Sequence, residues 1–252
     1  VRPLAVALEP GHRLDDRLVQ RGLYSSRSRA RDAIARGTVT VDGVVAAKPA
    51  QNTNPESRIE ILDEARAYVS RSALKLKSGI SFFNISVKGL NCLDIGACTG
   101  GFTQVLLEQG ATHVTAIDVG HGQFDASLQS NPNVTSIEGL NARDLTADHL
   151  KHKIDFIVCD VSFISLKLAL PASLSIAEPG AHLVALIKPQ FEAGRDAVGR
   201  GGIVSDPHEH DRVCRETSEF LTAENWKVIG VTSSSIEGGD GNREFLIAAV
   251  KS

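Results

Sequence analysis

The 252-residue sequence has no methionine, and no function follows from that absence. It has four cysteines, Cys92, Cys98, Cys159 and Cys214, and no C-x-x-C pair among them. Zinc knuckles and dithiol redox chemistry are therefore unsupported, and sparse single cysteines suit a reducing cytosol. No apolar run approaches the roughly 18 residues of a membrane span. No secretory leader is visible, so the expected location is cytoplasmic, with no membrane partner. There is no internal repeat and no low-complexity tract. Strong net charge is lacking as well, the formal balance being −3. That balance hides an asymmetry. Residues 1–60 carry ten Lys+Arg and seven Asp+Glu, a local +3, which leaves −6 for the remainder.

The chain length and a 42% hydrophobic content suffice for one large domain and one small one. Residues 1–11 read as an unstructured lead. From His12 to Gly37 the apolar spacing is helical. Tyr24 to Ser26 breaks the run, a Ser25 or Ser26 cap starts a second helix over Arg27 to Arg36, and Gly37 stops it. A strand over Thr38 to Asp42 turns at Asp42-Gly43, a strong hairpin dipeptide, and a second strand is expected over Arg58 to Leu62. This predicts a small α+β domain over 1–62, a linker over 63–69, and a second domain over 70–252. The second domain opens with a helix from Ser70 to Gly79 and then alternates strands and helices. Strands are expected at 91–95, 113–118, 134–138, 154–160, 182–188, 227–233 and 244–250. Helices are expected at Gly101 to Gly110 and Ser165 to Ser175. Apolar strands separated by helices predict an α/β Rossmann-like domain with a seven-stranded sheet covered on both faces. The last two strands have no helix-length spacer, so the final one is expected to be antiparallel. Pro189 to His208 shows no pattern and is rich in glycine, which predicts a long mobile lid.

The sequence Asn91-Cys-Leu-Asp-Ile-Gly-Ala-Cys-Thr-Gly-Gly-Phe-Thr103 is a hydrophobic strand, a glycine-rich turn and a helix start, with no Walker lysine. It sits at the carboxyl end of the domain's first strand, where open α/β sheets bind ligands. Gly96, Gly100 and Gly101 are expected to let backbone approach a ligand. Asp94 suits a cationic ligand such as a methionine sulfonium with an ammonium group. Asp118 ends the next strand, where a carboxylate can hold both ribose hydroxyls of an adenosine. Asn141 to Asp144 follows the third strand and is expected to flank the adenine. The candidate cofactor contacts are Asp94, Gly96, Ala97, Thr99, Gly100, Gly101, Phe102, Asp118, Asn141, Ala142 and Asp160.

Four charged residues sit where this topology puts an active site. Asp160 ends the fourth strand of the domain, Lys188 the fifth, Glu244 opens the last, and Lys75 lies on the entering helix. A lysine that closes a hydrophobic run is costly to bury without acidic partners, which Asp160 and Glu244 can supply. Residues 92–104, 115–119, 159–166 and 186–192 resemble the FtsJ-like ribose methyltransferases, and more closely the TlyA family of rRNA methyltransferases, often labelled hemolysins. The segments 68–76 and 198–204 resemble that family too, so the likeness covers nearly the whole chain. The family's Lys-Asp-Lys-Glu tetrad maps onto Lys75, Asp160, Lys188 and Glu244. The chain departs from the pattern at Cys98, where Ser is common, after Asp118, and at Gly139-Leu-Asn141. The resemblance implies S-adenosylmethionine-dependent 2′-O-methylation of ribosomal RNA, at cytidine in 16S and/or 23S rRNA, with no metal. A ribose hydroxyl is a poor nucleophile at neutral pH and must lose its proton as the methyl moves. Lysine titrates near 10.4 in isolation, and burial beside a second ammonium would bring Lys188 toward the working pH.

The stretch Arg13-Leu-Asp-Asp-Arg-Leu, then Ser26 to Arg31 and Ile34 to Gly43, resembles an S4 domain, a small RNA-binding fold. Its candidate RNA contacts are Arg13, Arg27, Arg29, Arg31 and Arg36, since arginine forks suit phosphates. No aromatic row accompanies them, so shape and backbone are expected to be read rather than bases. Ribosomal RNA or ribosomal subunits are the expected partners. A membrane-lytic protein finds no apolar span or cationic amphipathic helix here. A non-catalytic assembly factor is at odds with an intact tetrad.

Overall fold

In a computed structural model the described residues are 12–239 and 241–252, so the expected lead over 1–11 lies outside them. The chain divides into two compact units, Val1–Ala67 and Tyr68–Ser252.

The first unit runs β1 (His12–Arg13), α1 (Leu14–Gln20), α2 (Arg27–Ala35), β2 (Val39–Val41), β3 (Val44–Val45), β4 (Asn52–Thr53) and β5 (Ile59–Ile61), and ends in a 3-10 turn, Glu64–Ala67. Ser26 caps α2 through its hydroxyl, which accepts from Arg29 N–H. Asp42 and Gly43 both take positive φ, 51° and 81°. That geometry lets a two-residue turn join β2 to β3 with Val41 opposite Val44. A small core of Leu14, Leu18, Ala30, Ile34 and Val39 closes the unit. The expected linker over 63–69 is split. Asp63 is held inside the first unit, accepting hydrogen bonds from Arg36 and Tyr24, and Tyr68 begins the second.

The second unit contains α3 (Ala73–Phe82), β6 (Asn91–Ile95), α4 (Gly101–Glu108), β7 (His113–Asp118), α5 (Ala126–Gln129), β8 (Val134–Glu138), β9 (Ile154–Cys159), α6 (Leu166–Ala169), α7 (Pro171–Ile176), β10 (Ala177–Ile187), α8 (Pro189–Glu192), α9 (Pro207–Ala223), β11 (Trp226–Ser233) and β12 (Phe245–Lys251). Its seven strands stand in the order β11-β12-β10-β9-β6-β7-β8. All neighbours are parallel except those of β12, which runs antiparallel to β10 and β11. One buried layer packs Leu93, Ile157, Leu183, Val213 and Trp226, and the other packs Leu76, Phe102, Phe156 and Leu246, as expected for a sheet covered on both faces.

Two expectations are corrected. The single helix over Ser165 to Ser175 is two short ones, because Pro171 has no N–H to continue the first and starts the second instead. The stretch Pro189 to His208 is not one unpatterned loop. It holds α8, 3-10 turns at Arg195–Ala197 and Arg200–Gly202, and the start of α9. Asn242 anchors it, accepting from Val204 N–H at 3.0 Å and donating to Gly202 C=O at 2.9 Å.

Candidate active site

Four strand ends meet at one edge of the sheet. β6, β9 and β10 all finish there, and β12 starts there because it is reversed, with Ile187 opposite Phe245. The residues just past those ends, Gly96, Asp160 and Lys188, and the one just before β12, Glu244, are brought to this edge by topology alone. Asp160 N–H is pinned to Ile95 C=O at 2.9 Å.

The four charged residues form two ion pairs. Lys188 Nζ lies 2.6 Å from Asp160 Oδ1, with side chains 10% and 14% exposed. The same ammonium donates to Ser162 Oγ at 2.9 Å. Lys75, on α3, donates to Glu244 Oε2 at 2.5 Å, and this pair is buried at 7% and 3% exposure. Each ammonium thus faces a carboxylate of its own, which is what makes burial of four charges tolerable. The acidic partners that the sequence asks for are Asp160 for Lys188 and Glu244 for Lys75.

A cavity of about 170 Å³ opens beside the first pair. Of the sequence candidates, Gly96, Ala97, Phe102, Asp160 and Lys188 line it. Ser70, Ser72, Cys98 and Ser162 also line it and were missed as contacts. Small hydroxyl residues carry no signal of their own. Only their neighbours, the tetrad and the glycine turn, could have pointed to them.

The glycine turn is shaped by the protein's own packing. Gly96 has φ +78°, and a Cβ there would lie 2.6 Å from the Asp160 carbonyl oxygen. At Gly101 a Cβ would come 2.7 Å from Ser72 Oγ. These glycines let the turn sit against the segments that carry Asp160 and Ser72, and Gly96 also lines the cavity. Gly100 supplies the left-handed residue at the start of α4.

Asp94 lies fully buried beneath the turn and is not on the cavity wall. Thr103 Oγ1 donates to its Oδ2 at 2.7 Å, while Oδ1 has no hydrogen-bond partner among the described residues. Burial, joined by the negative charge of Asp160, pushes its pKa up to about 7 despite the Thr103 hydrogen bond. Asp118 reaches across the turn, accepting from Cys98 N–H at 2.8 Å and Gly120 N–H at 2.7 Å. Leu140 N–H donates to Asp118 C=O at 3.0 Å and keeps the next turn beside it. There Asn141 caps its own 3-10 helix through Arg143 N–H, with Ala142 as its first residue. Thr99 C=O accepts from Asp125 N–H at 3.3 Å, which ties the turn to the cap of α5. Neither Thr99, Asn141 nor Ala142 lines the cavity. Glu138, unremarked in the sequence, accepts from the N–H groups of Gly122, Gln123 and Phe124. Those bonds hold its pKa below the usual range and shape the loop after Asp118.

In the first unit the arginines are more engaged than the sequence implies. Arg13, Arg27 and Arg31 all contact the carboxylate of Asp15, which is 0% exposed. Arg29 donates to Ala65 C=O at 3.0 Å. The Arg36 side chain is only 17% exposed and is clamped by Asp32 and Asp63, so it braces the unit rather than joining the Asp15 group. Asp63 is held below the usual carboxylate range, because the Arg36 and Tyr24 hydrogen bonds outweigh the upward push of its burial.

A sheet of this order with its one reversed strand second from an edge, a glycine turn after β6 and a carboxylate ending β7 defines an α/β methyltransferase domain. The FtsJ-like methyltransferase model matches residues 68–251, and the S4 domain model matches residues 12–59. The chain is 43% identical over 236 residues to the Mycobacterium tuberculosis 16S/23S rRNA (cytidine-2′-O)-methyltransferase TlyA, which covers 93% of this chain and 88% of that one. It is 39% identical to Hemolysin A of Brachyspira hyodysenteriae over 93% of this chain and 98% of that one. Among solved structures, a Streptococcus thermophilus protein carrying a hemolysin name superimposes with a TM-score of 0.76 at 38% identity, covering 96% of this chain and 89% of that one. The chain belongs to the TlyA family of FtsJ-like rRNA methyltransferases, enzymes that use S-adenosylmethionine. Among the described residues no helix is long and apolar enough to cross a membrane.

Proposed function

We propose that this chain transfers a methyl group from S-adenosylmethionine to the ribose 2′-hydroxyl of cytidine in 16S and/or 23S rRNA, acting in the cytoplasm on rRNA or ribosomal subunits. The observation that carries this reading is the Lys188–Asp160 pair lining a cavity at the lip of the glycine turn. The site fits the donor chemically. Asp94, beneath the turn, keeps a buried carboxyl oxygen with no hydrogen-bond partner among the described residues, and Asp118 stands at the neighbouring strand end. Asp94, Gly96, Ala97, Thr99, Gly100, Gly101 and Phe102 would hold the methionine end, Asp118 the ribose, and Asn141 and Ala142 the adenine side. Bound S-adenosylmethionine supplies an electrophilic methyl on sulfur.

The protein's part is to place and deprotonate the hydroxyl. In the free-amine form that this step requires, Lys188 donates to Ser162 and lies 2.6 Å from Asp160, with its lone pair left for the ribose hydroxyl. It takes that proton as the ribose oxygen bonds to the methyl carbon and the carbon–sulfur bond breaks, and Asp160 stabilises the ammonium so formed. The Lys75–Glu244 pair holds the start of β12 against α3 and completes the charged edge. Alignment of the hydroxyl supplies much of the remaining acceleration. The test is transfer of tritium from labelled S-adenosylmethionine to purified 16S rRNA, 23S rRNA and each ribosomal subunit. Label recovered as 2′-O-methylcytidine is expected. No incorporation into any of the four substrates would refute the proposal.

A further inference from the structure

The carboxylate of Asp15 is wholly buried, yet no part of the proposed reaction uses it. It collects three arginines from two segments of the chain. Arg13, just ahead of α1, donates Nε and Nη2 to its two oxygens at 3.0 and 3.1 Å. Arg27, the first residue of α2, donates Nη2 at 3.1 Å, and Arg31, one turn later, donates Nε at 2.8 Å. Asp16 adds a second contact to Arg27 at 2.8 Å. Hydrogen bonds from Arg13, and then from Arg31 and Arg27, outweigh burial and keep Asp15 ionised far below the usual carboxylate range.

The three guanidiniums are not used up by this. Their side chains remain 42%, 46% and 51% exposed. Each has five N–H donors in a rigid fork, and Asp15 takes two from one arginine and one from each of the others. The remaining donors are in large part available to an anion. Held on one point, three forks converge with a net charge of +1 after Asp15 and Asp16 are counted. An apolar residue at position 15 would close the core as well, since a buried ion cluster is weak as a source of stability. What the carboxylate adds is position. It fixes three long side chains that would otherwise have to be ordered when a ligand binds.

We propose that Asp15 is a positioning residue that presents Arg13, Arg27 and Arg31 as one preformed cradle for an RNA phosphate. This rests on reading that face as the RNA-binding surface. The proposal has a sign that simple electrostatics does not share. Asp15→Asn adds one positive charge to the face and keeps the residue's size. A loose cationic surface would then bind RNA more tightly and with a steeper salt dependence. A cradle that has lost its pin should bind about tenfold more weakly, with a salt slope shallower by about one.

The experiment is filter binding of the full chain to purified 16S and 23S rRNA across a salt series, with circular dichroism and melting profiles as folding controls. Three further variants, Arg13→Lys, Arg27→Lys and Arg31→Lys, keep every charge while removing the forks, and each is expected to bind several-fold more weakly. They decide the matter if Asp15→Asn does not fold. Tighter binding by folded Asp15→Asn, or unchanged binding by all three lysine variants, overturns the proposal. Arg27→Gln/Arg31→Gln tests the underlying reading separately. If that variant folds and binds rRNA as the parent does, the face is not an RNA surface. If it weakens binding while Asp15→Asn does not, the surface stands and the positioning role falls.

Discussion

Lys188 and Asp94 are both charged residues in buried settings, and they call for opposite handling. Lys188 is paired, so removing it alone strands the nearly buried Asp160 carboxylate. Lys188→Ala is expected to melt at a lower temperature yet still fold and bind S-adenosylmethionine, while single-turnover methyl transfer, measured below that melting temperature, falls roughly 100-fold or more. Arginine should not restore it, because a guanidinium holds its proton and has another shape. Near-normal transfer by Lys188→Ala would remove it from the reaction. Asp94, by contrast, has one oxygen left over and a pKa raised from 3.8 to about 7. A raised carboxyl pKa favours the folded state fully below about pH 4, and that advantage is lost as pH climbs through 7, at roughly 1.4 kcal/mol for each unit between the two values. Asp94→Asn has no such group to ionise and can still accept from Thr103. Differential scanning fluorimetry from pH 5 to 8 without cofactor should show the parent losing melting temperature relative to the variant. Parallel curves would show that Asp94 does not titrate in this range.

At the level of elements, the strand ends were the legible part. Asp160, Lys188 and Glu244 each close or open a hydrophobic run, and a charge in that place is conspicuous in any sequence. The Asp42-Gly43 hairpin was legible because few residue pairs accept two positive φ angles in succession. What was not legible depends on partners far along the chain. Nothing near Arg27 or Arg31 announces that Asp15, on another helix, will claim both. The segment after Lys188 was opaque for a different reason, since four-residue helices and 3-10 turns are too short to show a period. One of its anchors is a buried side chain from outside it, Asn242. Asn242→Ala would strip Val204 N–H of its acceptor and Gly202 C=O of its donor. The expected cost is about 1–3 kcal/mol, the usual range for buried groups left unsatisfied. Hydrogen exchange should then show the Val204 amide losing protection while the β6 amides keep theirs. Equal loss throughout would mean global destabilisation instead.

As a whole, the molecule carries a net charge of −3 and yet is expected to bind a polyanion. The +3 balance of residues 1–60 makes that possible only through a local face. Binding to rRNA should therefore weaken with added salt, the three-arginine cradle contributing about −1 to the log–log slope for the phosphate it holds. Affinity for S-adenosylmethionine should barely move over the same series. A salt-independent rRNA affinity would exclude the arginine face as the main contact.

The reversed final strand has a temporal consequence. Lys75 and the carboxylate that neutralises it, Glu244, are 169 residues apart in the chain. At 5–20 residues per second of synthesis, a nascent chain would hold Lys75 without that partner for on the order of ten seconds. The pocket's glycine turn and Asp160 are made well before the edge they serve is complete. Chains that stop before residue 244 should therefore be poorly folded fragments rather than slow enzymes. Maturation of the site waits until Glu244 and β12 have left the ribosome.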